Sequence, residues 1–445
     1  MNQRKSLKPV ALLLLAAIGT AVLVSHILHP EGANVIVQGS GDSTVKVSSL
    51  SGEIVSRSRT TTFAADQVKA ISHQNYGTNT LEPKNSVKKT TVEYYSSDLD
   101  GKLLKIHARI YQPVGKSNTP ILGFATGTVG IGDQCAPSLE QPEKVNWANY
   151  ESHMLTYAGQ GYATVVTDYE GMRDPDRIHH YMVGALEGRA ILDSVRALIN
   201  FDKGTNILDT NHVFLSGYSQ GGHAAYWADQ ISRTYAPEFD ITGVIGWGPV
   251  MNVEETLADI TRAANINWFG PYVLTSYTDY YRENYHNDTI LLPQWSANLR
   301  NDVLRHCIDS VLPYWGHDPA KVYTPDFIQA LTTGVPSSKY QRFFDRMRSN
   351  IVGNATTTSA KLINQGGKDN VVLAIQQTPA IDRICKNSKG PAQLTLYPDA
   401  NHYTAMQQSL ADTLAWMSKL ASGQSVLDQC AKPITLATPS LTPTP

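Results

Sequence analysis

The chain has 445 residues, 37 Lys and Arg against 39 Asp and Glu, and a net charge of −2, which excludes the basic surface of a nucleic-acid binder. A composition of 42% hydrophobic and 17% charged residues is that of a soluble globular protein. The length suits one large domain with an insertion, or two domains.

Arg4, Lys5 and Lys8 precede an uncharged run from Pro9 to about Leu28, the pattern of an export signal. Gly19 and Ala21 offer small residues for cleavage after Ala21, whereas the uncleaved run is just long enough to span a bilayer. Residues 1–30 therefore read as a signal peptide or membrane anchor, and residues 31–65 as a polar Ser/Thr/Gly-rich arm. Thr90–Tyr95 and Leu103–Tyr111 alternate around an Asp98-Leu99-Asp100-Gly101 turn and predict an antiparallel hairpin. A strand over 120–126 leads into the loop Thr126-Gly127-Thr128-Val129-Gly130, and another strand covers Tyr162–Asp168. A helix from about Gly184 to Phe201 precedes the short buried run Val213-Phe214-Leu215, and a further strand covers Ile241–Trp247.

Residues 251–350 look mostly helical and hold 15 of the 38 aromatic residues. That density has two readings: the insert's own core, or a lining that receives an apolar acyl chain. Strands over 360–366 and 392–397 and a helix from about Met406 to Leu420 follow, then a Pro/Thr-rich tail over 437–445. Strand–helix alternation with short turns predicts a mostly parallel central sheet covered on both faces. The expected architecture is an α/β-hydrolase with core segments at 66–250 and 356–428, a helical cap at 251–355 and a tail at 429–445.

Between the run at 213–215 and the helix formers from Gly222 onward lies Gly217-Tyr218-Ser219-Gln220-Gly221. This is the G-x-S-x-G pattern of a nucleophile elbow, in which a strand-to-helix turn pushes the serine Oγ outward. A serine hydroxyl needs an imidazole to take its proton and a carboxylate to orient that imidazole. In this fold they follow in the order Ser, acid, His. Of thirteen histidines, His402 sits on the turn-rich loop after the strand over 392–397. Asp369 follows a strand that ends in Gly366-Gly367. Its rivals are Asp399, three residues from His402 on the same loop, and Asp382, inside a predicted helix. The oxyanion donors expected are the backbone N–H of Gln220 and a group on the loop after the early strand, with Thr128 the candidate.

Cys135, Cys307, Cys385 and Cys430 are an even set in an exported chain, which favours two disulfides and leaves three pairings open. No cysteine or histidine spacing indicates zinc, no cofactor is called for, and the pair His179-His180 reads as solvent-facing. Asn287-Asp288-Thr289 and Asn354-Ala355-Thr356 fit the glycosylation sequon.

Gly127-Thr128-Val129-Gly130-Ile131-Gly132-Asp133-Gln134-Cys135-Ala136-Pro137-Ser138 resembles the secretory lipases of the fungal lipase A type and their bacterial relatives. So do Asp168-Tyr169-Glu170-Gly171, Tyr181-Met182-Val183-Gly184 with Glu187-Gly188-Arg189, and the Gly-Tyr-Ser-Gln-Gly-Gly elbow. The resemblance covers roughly residues 50–425. It implies a capped α/β-hydrolase that cleaves carboxylic esters, including lipid esters, with Ser219, Asp369 and His402 as triad. It also favours Cys135–Cys307, which would tether the cap, and Cys385–Cys430, which would pin the C-terminal segment. Many bacterial members have His before the Gly-Thr of the oxyanion loop; Thr126 stands there in this chain. The alternatives are a serine peptidase or acyltransferase on the same fold, and an inactive hydrolase fold that serves as a binding module.

Overall fold

Runs rich in Val, Ile, Thr and Tyr favour the pleated, half-buried surface of a sheet, and such runs supply the strands of this chain. A computed structural model describes residues 34–38, 44–141, 144, 146–205 and 207–430; residues 1–30, read as a signal peptide or membrane anchor, and all but the first two residues of the tail read over 429–445 lie outside the described residues. Strands β1 (Asn34–Gln38) and β2 (Thr44–Ser48) form a separate antiparallel pair. The main sheet contains β3 (Ile54–Arg57), β4 (Thr61–Phe63), β5 (Val87–Ser97), β6 (Leu103–Pro113) and β7 (Thr119–Ala125). It continues with β8 (Ala163–Thr167), β9 (Leu208–Tyr218), β10 (Ile241–Trp247), β11 (Ala360–Gly366) and β12 (Ala392–Tyr397).

These make a 10-stranded sheet ordered β12-β11-β10-β9-β7-β8-β6-β5-β3, with β4 also on β5. From β8 to β12 all pairings are parallel, while β5, β6 and β8 pair antiparallel. Residues 54–57 and 61–63, read from sequence as part of an irregular arm, are thus strands hydrogen-bonded to β5. Short polar strands at a sheet edge carry too little apolar alternation to stand out.

Helices α1 (Ala65–Tyr76), α2 (Tyr150–Gly159), α3 (Gly184–Asp202) and α4 (Gln220–Tyr235) precede the insert. The insert between β10 and β11 contains α5 (Val253–Arg262), α6 (Phe269–Tyr281), α7 (Asn287–Ile290), α8 (Pro293–Ser296) and α9 (Leu299–Arg305). It ends with α10 (Ile308–Trp315), α11 (Pro325–Thr333) and α12 (Gln341–Ser349). After β11 come α13 (Gln377–Asn387), α14 (Thr404–Gln408) and α15 (Leu410–Ala421). Successive residues of β9 show both faces covered, as side chains alternate along a strand. Phe214 packs on Trp416 of α15; Leu215 lies with Gly123 toward Ile191 and Val195 of α3.

The insert has a hydrophobic cluster of its own, in which Tyr272, Tyr277, Tyr323, Phe327, Phe343 and Phe344 are at most 1% exposed. The aromatic density of residues 251–350 is therefore mainly core. A segment of about a hundred residues standing off the sheet must bury its own apolar surface to stay folded. Disulfides join Cys135 to Cys307 and Cys385 to Cys430. The first ties the loop after β7 to the start of α10, the second α13 to the end of the described chain. No helix among the described residues is long and apolar enough to cross a membrane.

Candidate active site

Parallel strands deliver their carboxyl ends to one edge of a sheet, where ligands bind in open α/β folds. The loops after β7, β9, β11 and β12 all leave from that edge, and they carry Thr128, Ser219, Asp369 and His402 respectively.

Ser219 joins β9 to α4 with φ 55° and ψ −115°, a backbone conformation L-residues avoid unless the surroundings impose it. Its N–H donates to the Trp247 carbonyl at 2.9 Å, and its own carbonyl accepts from the N–H groups of Val250 and His223 at 3.2 Å. The flanking glycines are dictated by contact. A Cβ on Gly217 would stand 2.0 Å from the Gly221 carbonyl oxygen, and one on Gly221 would stand 1.9 Å from that of Ala125. The start of α4 is thereby seated against the end of β7, and the Gln220 N–H lies in its first turn, where amides have no intrahelical partner.

His402 donates from Nδ1 to Asp369 Oδ2 at 2.7 Å. The side chain of Asp369 is fully buried. Its Oδ1 accepts from the N–H groups of Val371 and Val372 at 2.9 Å, and Oδ2 also accepts from Gln365 Nε2 at 3.1 Å. The rivals are elsewhere: Asp399 pairs with Lys368 at the surface, 84% exposed, and Asp382 lies within α13. The His402 ring packs 4.9 Å from that of Tyr218. A Cβ on Gly248 would fall 2.9 Å from His402 Nδ1 and 3.0 Å from Asp369 Oδ2. Trp247, which holds the Ser219 N–H, directly precedes Gly248, so the end of β10 adjoins both the elbow and the Asp–His pair. Among the described residues no hydrogen bond engages Ser219 Oγ or His402 Nε2.

The loop after β7 abuts the elbow. Thr126 is fully buried, and its carbonyl accepts from the Tyr169 hydroxyl at 2.5 Å. The hydroxyls of Thr128 and Tyr181 are 2.7 Å apart. Asp168, at the end of β8, accepts from both the N–H and the hydroxyl of Ser138 at 2.6 Å, which fastens the Cys-Ala-Pro-Ser turn to the sheet. Burial raises the Asp168 carboxyl to about 6 despite those bonds.

His179 and His180 are not solvent-facing; they are 0% and 9% exposed. The loop between β8 and α3 is bonded to α6, whose Ser276 and Tyr277 hydroxyls donate to the carbonyls of Tyr181 and Met182, and the polar chain it forms was not legible as a site. The Gln220 side-chain amide donates to His179 Nε2 at 2.7 Å and to Glu187 Oε1 at 2.8 Å. His179 donates from Nδ1 to Glu170 Oε2 at 3.2 Å. His180 bonds Glu170 Oε1 through Nδ1 and Asp279 Oδ2 of α6 through Nε2 at 3.0 Å. Burial depresses the His180 ring, but the two carboxylates outweigh it and raise it to about 9. Glu170 feels burial in the other direction and is drawn down to about 2 by the two imidazoles. The quoted motifs contain Glu170, Tyr181 and Glu187, so the signal was present in sequence without a partner attached to it. No group of residues suited to a metal ion occurs among the described residues.

A mostly parallel sheet with helices on both faces and a serine elbow at its carboxyl edge defines an α/β-hydrolase. Solved structures agree on the fold. The rice cell wall degrading esterase LipA of Xanthomonas oryzae superposes with TM-score 0.66 at 19% identity, covering 84% of this chain and 97% of that one. Candida antarctica lipase A in its closed state gives 0.65 at 18%, covering 88% and 87%. The secretory lipase family model matches residues 148–429, and the chain belongs to that family. Lipase A of Moesziomyces aphidis is 30% identical over 180 residues, 39% of this chain and 37% of that protein. Lipase 1 of Candida albicans is 28% identical over 234 residues, 50% and 48% respectively. The matched stretches thus span half or less of those relatives' length.

Proposed function

We propose that this protein is an exported carboxylic ester hydrolase acting on lipid or other apolar acyl esters through Ser219, His402 and Asp369. One observation carries the reading: a serine forced to φ 55° on a strand-to-helix turn shares its sheet edge with a His–Asp pair bonded at 2.7 Å. The proton on His402 Nδ1 is held by Asp369, so Nε2 is the basic nitrogen available to a serine hydroxyl. The Ser219–His402 link closes when substrate orders the serine, as such bonds tighten in the Michaelis complex. Family membership and the lipases it contains support an ester substrate with an apolar acyl group and contact with a lipid interface.

In the reaction His402 takes the Ser219 proton as Oγ attacks the ester carbonyl. The tetrahedral oxyanion is received by the Gln220 N–H and by Thr128. Collapse expels the alcohol with the proton from His402 and leaves an acyl-serine. Water, deprotonated by His402, then releases the acid and restores the serine, so ester and water give acid and alcohol. The oxidising conditions outside the cytoplasm suit the two disulfides, and the leader at 1–30 suits export.

The test is hydrolysis of p-nitrophenyl esters from acetyl to palmitoyl, with an alanine anilide as amide control. Ser219→Ala and His402→Ala should each lower kcat by roughly 10⁴- to 10⁶-fold, and the double variant should be little worse than either. Near-normal turnover in either variant, or faster cleavage of the anilide than of any ester, overturns the reading.

A further inference from the structure

The loop from His179 to Met182 holds buried side chains that ester cleavage as written above does not use, and each is bonded to a different part of the molecule. His179 accepts the Gln220 side-chain amide at 2.7 Å. His180 spans from Glu170 of the core to Asp279 of the insert, with both ring nitrogens on carboxylates, which requires a doubly protonated ring. Asp279 in turn receives Arg300 of α9 at 2.9 Å, and Tyr280 packs 5.2 Å from the imidazole. The Tyr181 hydroxyl meets that of Thr128 at 2.7 Å, while its ring lies against Phe269 and Tyr272 of α6. The backbone carbonyls of Tyr181 and Met182 accept from Ser276 and Tyr277, also on α6, at 2.8 and 3.1 Å. Met182 has φ 61°, and its N–H donates to Glu187 Oε1 at 3.0 Å, the oxygen that also receives Gln220.

One four-residue loop therefore bonds the insert helix α6, the first residue of the elbow helix and the loop after β7. We infer that this loop couples the insert to ester cleavage: Tyr181 and His179 are positioning residues that act through Thr128 and Gln220, and the His180–Asp279 pair holds the insert. The inference rests on the proposed serine mechanism and its two oxyanion partners. Oxyanion donors work only when they are aimed before the charge develops, and a displacement of an ångström is costly. Both partners are aimed here from one loop. The left-handed Met182 and the bonds to Ser276 and Tyr277 make the loop's conformation depend on α6. A shift of the insert is thus transmitted to both partners together, although no insert residue in this chain of contacts touches the reacting atoms.

The experiment compares Tyr181→Phe, Asp279→Ala, their double variant and Ser219→Ala in the full chain. Kinetics with p-nitrophenyl acetate, whose acyl group is too short to need a chain pocket, are read beside inhibition by butaneboronic acid and the thermal midpoint. Tyr181→Phe should lower kcat by about 10- to 100-fold with KM within about twofold, and should weaken boronate inhibition by the same factor. Asp279→Ala should lower kcat by about threefold to tenfold, and the double variant should lose clearly less than the product of the two single losses, as coupled residues are not additive. A lowered midpoint with unchanged kcat in both single variants, or kcat losses that multiply in the double variant, overturns the coupling. If Ser219→Ala is inactive, that failure belongs to the coupling alone. If Ser219→Ala retains activity, the serine mechanism falls and the inference with it.

Discussion

Four hydrogen bonds converge on the Asp369 carboxylate, from Val371, Val372, Gln365 and His402. Backbone and amide donors hold the group in one rotamer, which leaves a single oxygen lone pair directed at the imidazole. Asp369→Asn should lower kcat on the order of 10⁴-fold, because an amide in that cradle favours the wrong imidazole tautomer. Asp399→Asn, which breaks only a surface pair with Lys368, should leave kcat within about twofold. The comparison is made with p-nitrophenyl butyrate at pH 8, and a larger loss in Asp399→Asn would reassign the acid. Gly248→Ala bears on the same contact. Its φ is +48°, and its Cβ would meet both His402 and Asp369, so a displacement of the pair should cost about 10²-fold in kcat.

Among the elements, the insert is the one whose composition invited two interpretations, and its helices use their aromatics mostly on each other. Phe327 is fully buried, in contact with Tyr323, Tyr340, Phe343 and Phe344. Phe327→Ala should destabilise the protein by about 3–5 kcal/mol in urea unfolding. It should leave the ratio of palmitoyl to acetyl ester cleavage unchanged; a collapse of that ratio in folded protein would give the residue a place in the acyl pocket. The Cys385–Cys430 disulfide closes a separation of 45 residues and holds the segment after α15 against α13. Replacing both cysteines by Ser should lower unfolding free energy by up to about 4 kcal/mol on the chain-entropy model. A denaturant midpoint unmoved by that change would show the segment to be held by its other contacts, such as Gln429 on Leu394.

At the scale of the whole molecule, the Glu170–His180–Asp279 bridge makes the union of core and insert sensitive to pH. The bridge borders a cavity of about 890 Å³ lined also by Asp98, Asp100, Lys102, Asp176, Arg177 and Arg282, which gives water and protons access. Ser219, Asp369 and His402 do not line it. His180 is raised from 6.5 to about 9 on folding, so its contribution is complete below pH 6.5 and is lost as pH rises through about 9. Its size is on the order of 3 kcal/mol, and Glu170 reports the same interaction rather than a second one. Thermal unfolding at pH 6 and at pH 9.5 should therefore show a loss of stability in the parent chain that is much smaller in His180→Gln. Equal losses in the two proteins would assign the alkaline limb to other groups.

Local chemistry made much of this molecule legible. The hairpin of β5 and β6, the strands β7, β8, β10, β11 and β12, and helix α3 follow from alternation and helical runs, since each is decided by neighbours a few residues away. The elbow is equally local: two glycines around a serine between an apolar run and helix formers leave little other conformation. Resemblance to the secretory lipases rested on such short motifs too. The edge strands β3 and β4 escaped because their polar residues gain structure only by pairing with β5. Whether the insert's aromatics faced a substrate or each other is a question of packing, which periodicity does not answer. His179 and His180 look like surface residues in sequence because nothing local assigns Glu170 to them, and the carboxylate that completes the His180 bridge is distant: Asp279 lies 99 residues further along the chain. A buried charge is tolerable only beside its partners. Residue types and their local order were written in the chain, but which charges meet was decided by the fold.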